Sequence, residues 1–138
     1  MPEKYYLDSC IWRDYFENRS DNLRPLGDWA FALLKKIING NDIIIFSDLN
    51  EEELSLDYSE KEITEMISLL PPQIVIKVRP LQNRFGEAVM LSKKFKIPVK
   101  DALHAVIARD NNAVLVTRDK HFQELQNMIT VRKPEELI

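Results

Sequence analysis

A chain of 138 residues, 45% hydrophobic and 30% charged, has the length of one folded domain and is too apolar to be disordered. Its single cysteine excludes an internal disulfide, and no apolar run approaches a secretion signal or the ~20 residues of a membrane span, so a soluble, cytoplasmic protein is expected. The formal net charge of −3 excludes a globally basic nucleic-acid binder; contact with phosphate then requires a local basic patch or a metal.

Residues 4 to 8, KYYLD, predict a short first strand ending at Asp8. Ser9 to Asn18 predict a helix with Ile11, Trp12, Tyr15 and Phe16 on one face, which Asp8 is placed to cap. After the polar turn NRSDN, residues 25 to 39 predict a second helix. Pro25 suits its first turn, Leu26, Trp29, Ala30, Leu33, Leu34, Ile37 and Ile38 follow helical spacing, and Gly40 ends it. Phe31 falls off that stripe and is free for a partner surface. Asp42 to Ser47, DIIIFS, is an unbroken apolar run expected of a strand buried on both faces. In the following DLNEEELSLD, Asp48 and Glu51 have the spacing of a capping box. Glu52 and Glu53 flank the apolar face of this helix, and helical geometry does not choose between them as the acid aimed at the strand ends. The bland alternative is an acidic, solvated first turn.

Residues 60 to 70 predict an amphipathic helix stopped by Pro71-Pro72, and residues 74 to 78, IVIKV, a third strand. A helix between Pro80 and Lys96 ends in Lys93, Lys94 and Lys96; with Lys100 these form either a solvated helix end or a phosphate-facing patch. Residues 97 to 122 are the most informative stretch. Asp101 begins a helix that is apolar over most of its circumference, Asn111-Asn112 turns the chain, Ala113 to Val116 is a buried strand, and Asp119 lies just beyond it. Thr130 to Arg132 predict a last short strand. Strands alternating with helices predict a three-layer α/β/α sandwich with a central, mostly parallel sheet of four to five strands, in a single domain spanning 1–138.

In such a sheet, sites form beyond the carboxyl ends of the strands. Four acids are expected there: Asp8, Glu53 or Glu52, Asp101 and Asp119. Each has a structural role available as a cap, but their joint location is what matters. Crowded carboxylates repel one another unless a cation is present, and oxygen-only ligands suit Mg²⁺ or Mn²⁺. Such ions support attack of water on a phosphodiester.

YLDSC at Asp8, IIIFSDLNEEEL, KDALHAVIA at Asp101 and LVTRDKHF at Asp119, in this order and at these spacings, resemble a PIN domain, and more narrowly the VapC-type toxins of prokaryotic toxin–antitoxin pairs, over nearly the whole chain. The resemblance implies an Mg²⁺- or Mn²⁺-dependent ribonuclease with Asp8, Glu53, Asp101 and Asp119 as catalytic metal ligands. It favours Glu53 over Glu52 through the pair Glu53-Leu54, and implies Ser9 and Thr117 as supporting hydroxyls. It also implies a homodimer, and a cognate antitoxin whose C-terminal segment lies in a groove near the first two helices, where Trp12, Tyr15, Phe16, Trp29 and Phe31 concentrate. One departure is visible: many members carry an acid two residues after the position of Asp119, and here it is His121, which leaves one metal or two undecided.

His104 shares a helix face with Asp101 and reads first as a packed, satisfied histidine; His121 reads as surface. Lys100, Arg118 and Lys120 are the candidate phosphate contacts, and Cys10 a small buried hydrophobe. A competing function is a non-catalytic PIN-fold protein that binds RNA or a protein. A phosphatase with Asp8 as nucleophile is discounted, because the second Asp of DxDxT is absent after Asp8.

Overall fold

The computed structural model describes residues 2–138. Its elements are β1 (Lys4–Leu7), α1 (Ser9–Glu17), α2 (Leu26–Asn39), β2 (Ile43–Ser47), α3 (Asp48–Leu54), α4 (Glu60–Ser68), β3 (Val75–Val78), α5 (Arg84–Phe95), α6 (Val99–Asp110), β4 (Val114–Val116) and β5 (Val131–Arg132). Short 3-10 turns cover Pro72–Ile74, Lys120–Leu125 and Pro134–Glu136. The strands form one sheet in the order β3-β2-β1-β4-β5, and every pair is parallel.

Both faces of the central strands β1, β2 and β4 are largely buried, which is why they read as continuous apolar runs. Tyr5, Leu7, Ile44, Phe46 and Val116 face one core, closed by Ile11 and Trp12 of α1, Leu33 and Ile37 of α2, and Ile63 and Met66 of α4. Tyr6, Ile45 and Leu115 face the other, closed by Ala88 of α5, the small side chains of α6, and Phe122. Ala102, Ala105 and Ala108 are fully buried and let α6 lie close to the sheet. Gly27 is required where α2 crosses Asn18, because a Cβ there would meet the Asn18 Cα at 2.5 Å. Among the described residues, no helix is long and apolar enough to cross a membrane.

The strand order walks outward from β1 through β2 to β3, then returns to the other side of β1 for β4 and β5. It reverses between β1 and β4. The chain leaves β1 towards one core as α1 and leaves β4 towards the other as the Lys120–Leu125 turn, so a crevice opens between the two strand ends.

The helix after β2 starts differently from the expected Asp48/Glu51 capping box. Ser47 is the N-cap: its hydroxyl accepts the Asn50 N–H at 3.2 Å, and Asn50 Oδ1 accepts the Ser47 N–H at 3.0 Å. The helix starts one residue earlier than the acidic pattern suggests, and Asp48 turns outward to Arg79 at 2.6 Å. Leu49 then packs into one core and Leu54 into the other, so α3 straddles the carboxyl edge of the sheet.

Candidate metal centre

Asp8 continues the β1–β4 ladder, its N–H donating to the Val116 carbonyl at 2.9 Å. It occupies the N-cap position of α1, but its side chain makes no capping hydrogen bond. Oδ2 instead accepts the Thr117 hydroxyl at 2.7 Å and, weakly, the Cys10 thiol at 3.5 Å. Burial, reinforced by Asp8, pushes that thiol well above its usual range, so Cys10 behaves as a small packed group. The Thr117 hydroxyl oxygen also accepts the Asp119 N–H at 3.0 Å. One buried threonine thus joins the ends of β1 and β4.

Asp119 does cap its turn: Oδ1 accepts the His121 N–H at 2.9 Å. Asp101 does not cap α6, since Pro98 holds that position. Its Oδ2 instead meets His121 Nδ1 at 2.8 Å. Burial pushes the Asp101 carboxyl above the ordinary carboxylate range, and repulsion from Asp119 and Asp8 adds to this against the lowering effect of His121.

Glu53 reaches the edge from α3. Its Oε1 accepts the Ser9 hydroxyl at 2.7 Å and lies 2.7 Å from His104 Nε2. Burial alone would raise this carboxyl, but the hydrogen bond from His104, with help from Ser9, holds it below the usual range. Glu52, the other geometric candidate, is exposed and lies 3.7 Å from Lys100 Nζ.

The four expected acids are therefore gathered as two trios. Ligating atoms of Asp8, Glu53 and His104 lie within 4.8 Å of one another, and so do those of Asp101, Asp119 and His121. Thr117 and the repulsion between Asp8 and Asp101 link the trios. Each trio includes a histidine, where the sequence favours a packed role for His104 and a surface one for His121. The available signals were the three-residue spacing from Asp101 to His104, and the place of His121 two residues beyond Asp119. The donor set fits a divalent cation: four carboxylates gathered at a partly buried crevice supply hard oxygen ligands of the kind that suit Mg²⁺ or Mn²⁺.

The expected phosphate contacts are placed unequally. Lys120 is exposed on a groove of about 430 Å³ beside Asp119, whose walls include Arg24, Gln123 and Lys133. Lys100 is exposed near Glu52. Arg118 turns inward instead. It lies over the Trp29 ring and is paired with Asp14 at 3.3 Å and Glu135 at 2.9 Å.

No curated protein matches the chain. Among solved structures the fold is similar to VapBC2 from Rickettsia felis bound to a DNA fragment from their promoter, at 20% identity, TM-score 0.66, and coverage of 94% of this chain and 98% of that one. It is similar to VapBC-1 from nontypeable Haemophilus influenzae at 21% identity, TM-score 0.65, and coverage of 96% and 98%. FitAcB from Neisseria gonorrhoeae follows at 16% identity, TM-score 0.61, and coverage of 96% and 99%. The family model for the PIN domain matches residues 5–127, and the chain belongs to the PIN domain family.

Proposed function

We propose that this single-domain protein is a metal-dependent endoribonuclease, the toxin of a type II toxin–antitoxin pair. The observation that carries this reading is the delivery of Asp8, Glu53, Asp101 and Asp119 from four separate elements to the crevice where the strand order reverses. Those carboxylates would hold Mg²⁺ or Mn²⁺. Bound there, the ion activates water and neutralises charge on the departing oxygen.

The chain's own residues do the positioning. The Thr117 hydroxyl fixes Asp8, and the Ser9 hydroxyl fixes Glu53. Lys120 and Lys133, on the groove beside Asp119, supply cations for the phosphates of an RNA strand entering the crevice. Arg118 holds Asp14 and the C-terminal segment in place.

Partner surfaces fit the same reading. Phe31 is 56% exposed and stacks on Tyr15 at 6.3 Å, offering an aromatic anchor for an antitoxin segment on α1 and α2. Phe85 and Val89, one turn apart on α5, and Ile76 on the β3 edge are exposed and suit a homodimer contact. A cytoplasmic location accords with this role.

The test is cleavage of total cellular RNA by wild type and Asp101→Asn, in Mn²⁺ and in EDTA, with fragment ends mapped. Cleavage by wild type in Mn²⁺ alone is expected; equal cleavage by both proteins would refute the proposal. The competing reading, a non-catalytic binder, is favoured by one feature: each carboxylate pair already has an imidazole beside it. A wild type that binds RNA, cleaves none and gains no thermal stability from Mn²⁺ would establish that alternative.

A further inference from the structure

Six residues close a ring of hydrogen bonds beneath the crevice. Tyr6 Oη lies 2.6 Å from Ser47 Oγ and 2.6 Å from His104 Nδ1. Ser47 Oγ accepts the Asn50 backbone N–H at 3.2 Å, and Asn50 Nδ2 donates to Ser9 Oγ at 3.2 Å. Ser9 Oγ and His104 Nε2 then meet on one atom, Glu53 Oε1, each at 2.7 Å. Tyr6, Asn50, Ser47 and His104 are all at most 1% exposed.

The polarity of the ring follows from its end point. The Glu53 carboxylate only accepts, so the Ser9 hydroxyl and the His104 Nε2–H both donate to it. In the neutral imidazole, Nε2–H donating leaves Nδ1 to accept the Tyr6 hydroxyl. The Tyr6 oxygen in turn accepts from Ser47, whose oxygen also accepts the Asn50 N–H. A second bond from Asn50 Nδ2 to the Leu7 carbonyl at 3.1 Å ties the ring to β1. Apolar side chains of similar volume would fill this space without needing partners. A buried polar network is stabilising only when complete, and this network reaches the crevice through Glu53 and, at 3.8 Å from His104 Nε2, Asp8.

We infer that His104 and Tyr6 are positioning residues: through the ring they fix the Glu53 carboxylate by its Oε1, so that Oε2 is the oxygen presented to the metal. This rests on the metal-nuclease reading above. The carboxyl's depression below its ordinary range has the same origin, since His104 and Ser9 are the donors that outweigh its burial. Partners of metal ligands of this kind typically change metal affinity or activity about 10- to 100-fold when removed.

The experiment is Mn²⁺ titration by calorimetry of wild type, Tyr6→Phe, His104→Gln, His104→Leu and Ile11→Val. Ile11 is buried in the opposite core and controls for general destabilisation. Tyr6→Phe is expected to weaken Mn²⁺ binding about 10-fold, with cleavage recovered by raising Mn²⁺. Ile11→Val should lower the melting temperature and leave Mn²⁺ affinity unchanged. His104→Gln, which keeps one N–H donor towards Glu53, should bind Mn²⁺ more tightly than His104→Leu; that pair decides the matter if Tyr6→Phe does not fold. Wild-type affinity in folded Tyr6→Phe, or equal affinity in the two His104 variants, would overturn the positioning role alone. Absence of Mn²⁺ uptake by wild type would overturn the metal reading and this inference with it.

Discussion

His121 Nδ1 lies 2.8 Å from Asp101 Oδ2, across the crevice from the strand end that carries it. Its backbone N–H is held by Asp119, so one residue contacts both carboxylates of its trio. The hydrogen bond to Asp101, aided by the charge of Asp119, raises the His121 pKa above its ordinary value. Because the shift is upward, the pairing is fully present below the unfolded histidine's pKa and is lost as pH rises through the folded one. NMR titration of the His121 ring in EDTA should show this raised midpoint, and Asp101→Asn should lower it. An identical midpoint in the two proteins would remove Asp101 as the cause.

Asp101→Asn should abolish cleavage and raise the melting temperature in EDTA. The Asp101 carboxyl is raised chiefly by burial, so folding favours its protonated form. Its contribution to stability is therefore present below the unfolded aspartate's pKa and is lost as pH rises through the folded one. The stabilisation by Asn should be larger at neutral pH than at pH ~4, near the ordinary aspartate value. Since Pro98 and not Asp101 occupies the cap position, the ~1 kcal/mol cost of losing a cap is not expected in Asp101→Ala. Thermal melts of both variants across pH, beside an RNA cleavage assay, check this; full activity in folded Asp101→Asn would end the metal-ligand assignment.

The cations around β4 should separate into two kinds. Arg118→Ala leaves Asp14, which is 4% exposed, without its nearer partner; Arg19 lies 4.0 Å away. A loss of about 3 kcal/mol is expected, read as a lower denaturation midpoint. Lys120→Ala and Lys133→Ala should change stability by no more than ~0.5 kcal/mol. They should weaken RNA binding across sequences, each reducing the salt slope by roughly 1. Unchanged RNA affinity in the double lysine variant would remove the groove from the RNA path.

Phe85→Glu should convert the proposed homodimer to a monomer without unfolding it, because Phe85 is 50% exposed on α5 and contributes little to the core. Light or X-ray scattering of wild type and variant reads the mass directly. A wild type that is monomeric at high concentration would refute the dimer.

The fold was legible because its signals are local. DIIIFS and the apolar run after Asn112 carry their burial in composition, and β-α alternation leaves few topologies open. Asp8, Asp101 and Asp119 were legible because strand ends and helix starts mark the sheet edge. Glu53 was not separable from Glu52 by helical geometry; the choice came from the family pattern. The Ser47–Asn50 cap was missed because Ser47 also closes an apolar strand, which shifted the expected start of α3 by one residue. The inward turn of Arg118 depends on Asp14 and Glu135, distant in sequence, and no local pattern announces it. The same holds for the Tyr6–His104 contact, which exists only once β1 and α6 are packed together.

The acids at the crevice come from β1, α3, α6 and the turn after β4, and β1 and β4 are neighbours only because the chain returns to the first strand late. During synthesis, Asp8 emerges early but cannot meet Thr117 until nearly the whole domain has left the ribosome. An incomplete nascent chain therefore carries no assembled centre, and the centre disassembles as soon as β4 detaches. Any chemistry done there requires β4 to be docked beside β1.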